Sequence, residues 1–333
     1  MHVSINANAL RIVNEMIERK DELKIKIEKT CRGAKIIDAG VETKGGYLAG
    51  KYIAEICLGG LGSVSLNPFN CEGLLLPSIF VSTEYPAIAL LGSQCASWRI
   101  KVGEYFALGS GPARALALKP KNLYYEINYN DQTDVAVIVL ESNQKPSDEV
   151  VNYIAEECKV PHENVYAIVT PTSSIAGSTQ IAARIAENGL YRLYRLNLDP
   201  KKVLYACGYA PIAPIHPKFD EAMGRTNDML IYGGMTFFVV DFDNDEDLKR
   251  IVEKASSVGS KDYGKPFAEI FKEADSNFYK IDPALFSPAV ITVNNIKTGS
   301  TFTSGNINAN ILKQSIGLSV CIKIKRYRRR ACA

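Results

Sequence analysis

The residues best suited to chemistry are a guanidinium and a carboxylate three positions apart, Arg184 and Glu187. They sit among Ile181, Ala182, Ile185 and Ala186, whose spacing predicts one apolar face of a helix. Residues three apart on a helix are neighbours, so the two side chains can touch. On a solvated face the pair is an ordinary ion pair worth well under about 1 kcal/mol. At the edge of a cleft it is a carboxylate whose basicity burial and the neighbouring charge set between them. Two features favour the cleft. The helix follows the carboxyl end of an expected buried strand, and it is otherwise poor in charge for a face meant only to meet water.

A second candidate is Gly109-Ser110-Gly111-Pro112-Ala113-Arg114-Ala115, between an expected strand (98–108) and a short Ala/Leu-rich helix. Its glycines permit positive φ and close approach to the backbone, and Pro112 suits a first helical turn. Outward N–H groups at such a helix start would form a small anion cradle, with the Ser110 hydroxyl as a further donor and Arg114 as a charge. The same residues also describe a plain tight strand-to-helix turn. The stretch is neither GxGxxG nor a Walker A loop. Arg225, Asn227 and Asp228 form a third group behind Gly224, in a helix expected from Phe219. A glycine inside a helix costs about 1 kcal/mol relative to alanine. It therefore points to close approach by a ligand or by another backbone.

The elements that must position these groups are clearest in the middle of the chain. Residues 134–141 and 164–170 are Val/Ile/Leu runs of the kind found in strands buried on both faces. Ser147, with Asp148 and Glu149 behind it, starts the helix between them. This order predicts a parallel crossover unit, followed by a helix that Ser178 or Thr179 caps and that runs to about Arg192. Ligands collect outside the carboxyl ends of such strands, so Glu141, Thr170, Thr172 and Ser173 are expected to border a cleft. Upstream, helices are expected over 6–19 (capped by Asn6), 48–57 and from Pro86 to Gln94, with a hairpin at 24–39 and a strand at 78–83. Downstream, strands are expected at 202–207 and 235–242, helices at 246–258 and 307–316, and a hairpin at 291–303. The fold class is α/β (mixed α+β): two domains, 1–200 and 201–318, with mixed or parallel sheets flanked by helices and a cleft between them.

The chain has 333 residues, 47% hydrophobic and 23% charged, as in ordinary globular proteins with sizeable cores. Six of its positive charges (Lys323, Lys325, Arg326, Arg328, Arg329 and Arg330) fall at the end, so the formal charge of +3 hides a mildly acidic body. Residues 319–333 read as a disordered basic tail. Eight scattered cysteines without a CxxC pair, and no signal peptide, point to reduced thiols in a cytoplasm. No apolar run is long enough to cross a membrane. The three histidines, His2, His162 and His216, are far apart, so a zinc hydrolase and any bound metal are not expected.

At these residues the chain resembles the methenyltetrahydromethanopterin cyclohydrolase family of archaeal one-carbon metabolism, over about residues 3 to 317. The resemblance is carried by segments 56–62, 102–115, 141–146, 213–214, 222–228 with 232–234, 262–267 and 278–283. It implies reversible hydrolysis of the 5,10-methenyl cation of tetrahydromethanopterin to the N5-formyl derivative, without metal or prosthetic group. It also implies a homotrimer of two-domain subunits, with the pterin between domains. The family pattern A-A-R-I-x-E falls on Ala182 to Glu187 and assigns catalysis to Arg184 and Glu187. Substrate contacts are then expected from Gly109, Ser110, Gly111, Arg114, Glu141, Thr172, Ser173, Arg225, Asn227 and Asp228. Cys95-Ala96-Ser97-Trp98 departs from the family, which more often has an aromatic, alanine, glycine and tryptophan there. Two other readings remain open on the residues alone. One is a nucleic-acid-associated protein acting through residues 323–330; the other is a phosphate-dependent transferase using the glycine turn.

Overall fold

The computed structural model describes residues 3–318; the basic tail lies outside the described residues. Twelve strands form among them: β1 (Lys26–Lys29), β2 (Lys35–Asp38), β3 (Gly62–Cys71), β4 (Leu74–Thr83), β5 (Trp98–Val102), β6 (Tyr105–Ser110), β7 (Ala136–Glu141), β8 (Val165–Val169), β9 (Val203–Pro211), β10 (Met235–Val240), β11 (Val290–Asn295) and β12 (Thr301–Gly305). They make two six-stranded mixed sheets, ordered β1-β2-β8-β7-β6-β5 and β12-β11-β10-β9-β4-β3. The fold is mixed α/β, as the sequence predicts. β7 and β8 are parallel, with Val139 opposite Ile168, and the helix Asp148–Cys158 connects them.

Side chains alternate across a strand, and in the first sheet this alternation divides the core. Ile138, Leu140, Ala167 and Val169 pack on one face with Val150, Val151 and Ile154 of the 148–158 helix. Val137, Val139, Ile168 and Ile37 pack on the other with the helices Ile5–Glu18 and Tyr47–Cys57. Each such side chain, fully buried, contributes about 1.5–3 kcal/mol. One face of the second sheet (Val64, Ile79, Val81, Ala206, Phe238, Ile291) packs on the helices Ile175–Ala182 and Ile185–Arg195 and on a π-helical run, Ala87–Gln94. The opposite face has a different character. Pairing brings Phe80, Ser82, Tyr205, Cys207, Met235, Phe237, Val239, Val290, Thr292 and Asn294 onto one surface. All are only partly buried, and none is charged.

Several expectations need correcting. The helix expected from Ser178 or Thr179 starts at Ile175, where the Ser174 hydroxyl accepts from the Gly177 amide at 2.9 Å. It breaks at Ala183-Arg184 and resumes to Arg195; both residues keep right-handed backbone angles, but ψ of −11° and −2° opens the turn between the two helices. Ser4, not Asn6, caps the first helix. The Asn6 amide is buried, donating to Asp131 at 2.8 Å and to the Pro112 carbonyl at 3.0 Å. The strand expected over 98–108 is the hairpin β5–β6. Sheet membership also crosses the boundary expected near residue 200, since β3 and β4 pair into the sheet that holds β9 to β12.

Candidate active site

The break at residue 184 sets Arg184 and Glu187 at the start of the 185–195 helix, 8% and 7% exposed. A solvated ion pair is thereby excluded. Arg184 Nη1 donates to the Gln94 carbonyl at 2.7 Å, and Nη2 donates to the Ser110 hydroxyl at 3.0 Å. Nη1 lies 3.9 Å from Glu187 Oε2, close enough for charge attraction and too far for a hydrogen bond. Burial raises the Glu187 pKa above 4.5, the largest effect, while Arg184, a hydrogen bond from Cys95 and Arg114 pull it back. A carboxylate held this way is a stronger base than one in water.

The glycine turn serves this pair from behind. The Gly111 amide donates to the Ser93 carbonyl at 2.8 Å, and the Arg114 and Ala115 amides donate to the Gly111 and Pro112 carbonyls. Arg114 is fully buried, with its guanidinium on the carbonyls of Leu91, Ser93 and Lys119 at 3.0–3.1 Å. Gly109 lies within β6, where an added Cβ would meet Ile100 Cδ1 at 3.1 Å and the Trp98 carbonyl at 3.2 Å. The following helix is one short turn, Ala113–Ala117. The expected anion cradle is therefore corrected: the Gly111, Arg114 and Ala115 amides and all but one nitrogen of the Arg114 guanidinium are used inside the protein, and Ser110 braces Arg184. This also removes the basis for a phosphate-dependent transferase.

The remaining predicted site residues fall elsewhere. Glu141 accepts a hydrogen bond from the Thr172 hydroxyl. Both line a cavity of about 270 Å3 with Glu104, Phe106 and Phe219, while Ser173 is half-buried beside it in sequence. This cavity borders the carboxyl ends of β7 and β8, as expected, but at the start of the 175–182 helix. Arg184 lies just past its other end, and the eight-residue helix between is about 12 Å long. Arg225 and Asp228 line another cavity, about 280 Å3, with Glu221 and Lys272. The Asn227 amide donates to the Met223 carbonyl at 2.9 Å. Gly224 is explained by packing, since an added Cβ would lie 2.9 Å from Ala268 Cβ.

Two features near Glu187 were missed from the sequence. Cys95, which caps the π-helical run, lies close enough to bear on the Glu187 pKa. A cavity of about 590 Å3 opens one residue beyond Glu187, lined by Asn188, Tyr191, Arg192 and Arg195 and by Asp282, Pro283, Ala284, Phe286 and Ser287. The helical spacing of Asn188, Tyr191 and Arg195 was readable; that 282–287 faces them was not. Four buried polar atoms around the pair, on Ser93, Gln94, Arg114 and Arg184, have no hydrogen-bond partner among the described residues. Leaving such atoms unsatisfied costs about 1–3 kcal/mol each, so a functional role or a bound water is needed to account for them.

Residues 4–316 match the family model described as Cyclohydrolase (MCH). The chain is 50% identical to methenyltetrahydromethanopterin cyclohydrolase of Methanocaldococcus jannaschii, over 95% of this chain and 98% of that protein. It is 47% identical to the protein of that name from Methanothermobacter thermautotrophicus, over 95% and 100%. It is equally identical to the one from Methanococcoides burtonii, over 95% and 99%. With the family model and full-length relatives in agreement, the chain belongs to the MCH cyclohydrolase family.

Proposed function

We propose that this protein hydrolyses 5,10-methenyltetrahydromethanopterin reversibly to N5-formyltetrahydromethanopterin, as an enzyme of archaeal one-carbon metabolism and methanogenesis. The observation that carries the reading is the buried Arg184–Glu187 pair at the start of a helix whose next turns line a cavity of about 590 Å3, in a chain whose relatives bear that activity in their names. The reacting carbon is part of an amidinium, so it is already electrophilic; what it lacks is an aligned water. Glu187 orients that water and takes one of its protons as the C–O bond forms, which neutralises the cation. The C–N10 bond then breaks, the hydroxyl proton passes to N10, and the carbonyl of the formyl group remains on N5. One proton is released overall. A positioned general base of this kind contributes about 10²–10⁴-fold. Arg184 pulls the Glu187 pKa down against the effect of burial and fixes the helix start. The chemistry needs no metal or prosthetic group in this reading.

The pterin is assigned to the cavity beside the 185–195 helix, whose volume falls in the ordinary range for ligand sites. The uncharged, partly apolar face of the second sheet supports a homotrimer, because a solvated sheet face ordinarily alternates to polar and charged residues. Among the described residues six thiols are unpaired (Cys31, Cys57, Cys71, Cys95, Cys158 and Cys207), which fits the cytoplasm. No helix among the described residues is long and apolar enough to cross a membrane. The test is the near-ultraviolet absorbance of methenyl substrate mixed with purified protein. Rapid loss of the chromophore is expected; absence of turnover over a range of pH and salt overturns the reading.

A further inference from the structure

We propose that Gln94 is a positioning residue for Arg184, clamping the break between the 175–182 and 185–195 helices so that the guanidinium keeps its place beside Glu187. The inference rests on the reading of Glu187 as the base.

The break creates a need that one residue meets twice. Ala183 lies between the two helices, and among the described residues no backbone amide reaches its carbonyl. Ala183 is fully buried, and a carbonyl left unpaired there costs about 1–3 kcal/mol. The Gln94 side-chain amide donates to this carbonyl at 3.1 Å. The main-chain carbonyl of the same residue accepts from Arg184 Nη1 at 2.7 Å. Gln94 is itself fully buried and ends the π-helical run, which the Cys95 amide closes on the Leu90 carbonyl at 2.9 Å. That closure leaves the carbonyls after Leu90 without a partner inside the run, at the negative end of its dipole. The Leu91 and Ser93 carbonyls hold Arg114, each at 3.1 Å, and the Gln94 carbonyl holds Arg184. Two guanidiniums are thus anchored separately, and only the anchor of Arg184 is also tied to the helix break. The titratable groups that bear on Glu187 are Arg184 and Tyr191 on its own stretch of chain, and Arg114, Cys95 and Cys57 from elements packed against it. Burial holds the phenol and both thiols neutral, so the charges are those of the two arginines, and Arg184 has the larger effect.

The test compares full-length wild type, Gln94→Met, Arg184→Gln and the double variant by kcat and KM across pH. Methionine keeps the length of the side chain without its amide donor. Release of the break lets the guanidinium move off the carboxylate, and a carboxylate that loses a nearby positive charge rises in pKa. The acid limb of kcat in Gln94→Met should therefore shift upward by about half a pH unit or more, with KM near the wild-type value. In the Arg184→Gln background the same substitution should leave the limb where that background puts it, because a clamp acts only through the residue it holds. An unmoved limb in Gln94→Met, or a shift that adds in full to that of Arg184→Gln, overturns the proposal. If the methionine variant does not fold, Gln94→Leu is read the same way. Glu187→Gln is run alongside. Retained turnover there defeats the base assignment itself; lost turnover with an unmoved Gln94→Met limb defeats only the clamp.

Discussion

Arg184 lies 3.9 Å from Glu187 yet gives its short hydrogen bond, 2.7 Å, to the Gln94 carbonyl. The guanidinium therefore acts on the carboxylate through its charge, while its geometry is set by the π-helical run and the glycine turn. Glu187→Gln keeps the shape and removes the base, so kcat should fall by about 10²–10⁴-fold with KM changed little. A larger effect on KM than on kcat would move Glu187 from chemistry to binding.

The pH dependence follows from the same burial. The Glu187 pKa is raised above 4.5 by desolvation and partly restored by Arg184. The base works only when ionised, so activity should fall with decreasing pH through a midpoint above the ordinary carboxylate range. Arg184→Gln removes the restoring charge and should move that midpoint higher still. Overlapping pH profiles for wild type and Arg184→Gln would contradict this.

Asp228 predicts a pH effect on stability instead. It is 1% exposed, accepts from the Ser315 hydroxyl at 2.6 Å and the Phe267 amide at 2.8 Å, and is raised by burial from 3.8 to about 7. A carboxyl that binds its proton more tightly when folded stabilises fully below about 3.8, and the effect is lost as pH rises through about 7. The melting temperature should thus decline across this window, and Asp228→Asn should flatten the decline. Parallel melting curves for the two proteins would refute it.

Gly208 seats the 185–195 helix on β9. A Cβ there would lie 2.6 Å from Ile185 Cγ2 and 2.9 Å from the Ala186 amide nitrogen, which is backbone and cannot swing away. Gly208→Ala should cost about 1–3 kcal/mol in denaturant unfolding. It should also lower kcat, because the displaced turn carries Arg184 and Glu187. Unchanged stability and rate would show that the helix is not held at this point.

Phe237 stands at the middle of the uncharged sheet face, opposite Cys207 on one side and Thr292 on the other. Phe237→Glu places a charge there and should convert a trimer into monomers in sedimentation velocity. A wild type that sediments as a monomer would dismiss the trimer.

Legibility in the sequence followed the strength of local signals. The β7–helix–β8 unit was readable because two apolar runs flank a helix with a Ser147 cap. β3 was not, because Gly59-Gly60-Leu61-Gly62 before it and Pro68 within it read as loop, although Ser63 to Asn67 alternate; its strand character is fixed by pairing with β4. The β5–β6 turn hides in Gly103, where φ is +55°. The break at Arg184 was invisible because Ala182 to Glu187 are mostly good helix formers; packing beneath the helix overrides them. The Arg184–Glu187 pair could be found from its spacing and from the family pattern. Of its supports, Ser110 lies in the glycine turn that the sequence singles out, while Gln94 comes from a distant segment and leaves no local trace.

The antiparallel pairing of β4 with β9, Phe80 opposite Tyr209, also bears on how the protein is made. A nascent chain can complete its first sheet once β8 has emerged, but β3 and β4 must wait, edges unpaired, until β9 has left the ribosome. Closing so long a loop is slow, and waiting strand edges invite aggregation. Fragments ending near residue 200 should therefore be recovered mainly as inclusion bodies, and co-expressing the complementary piece should return material to the supernatant.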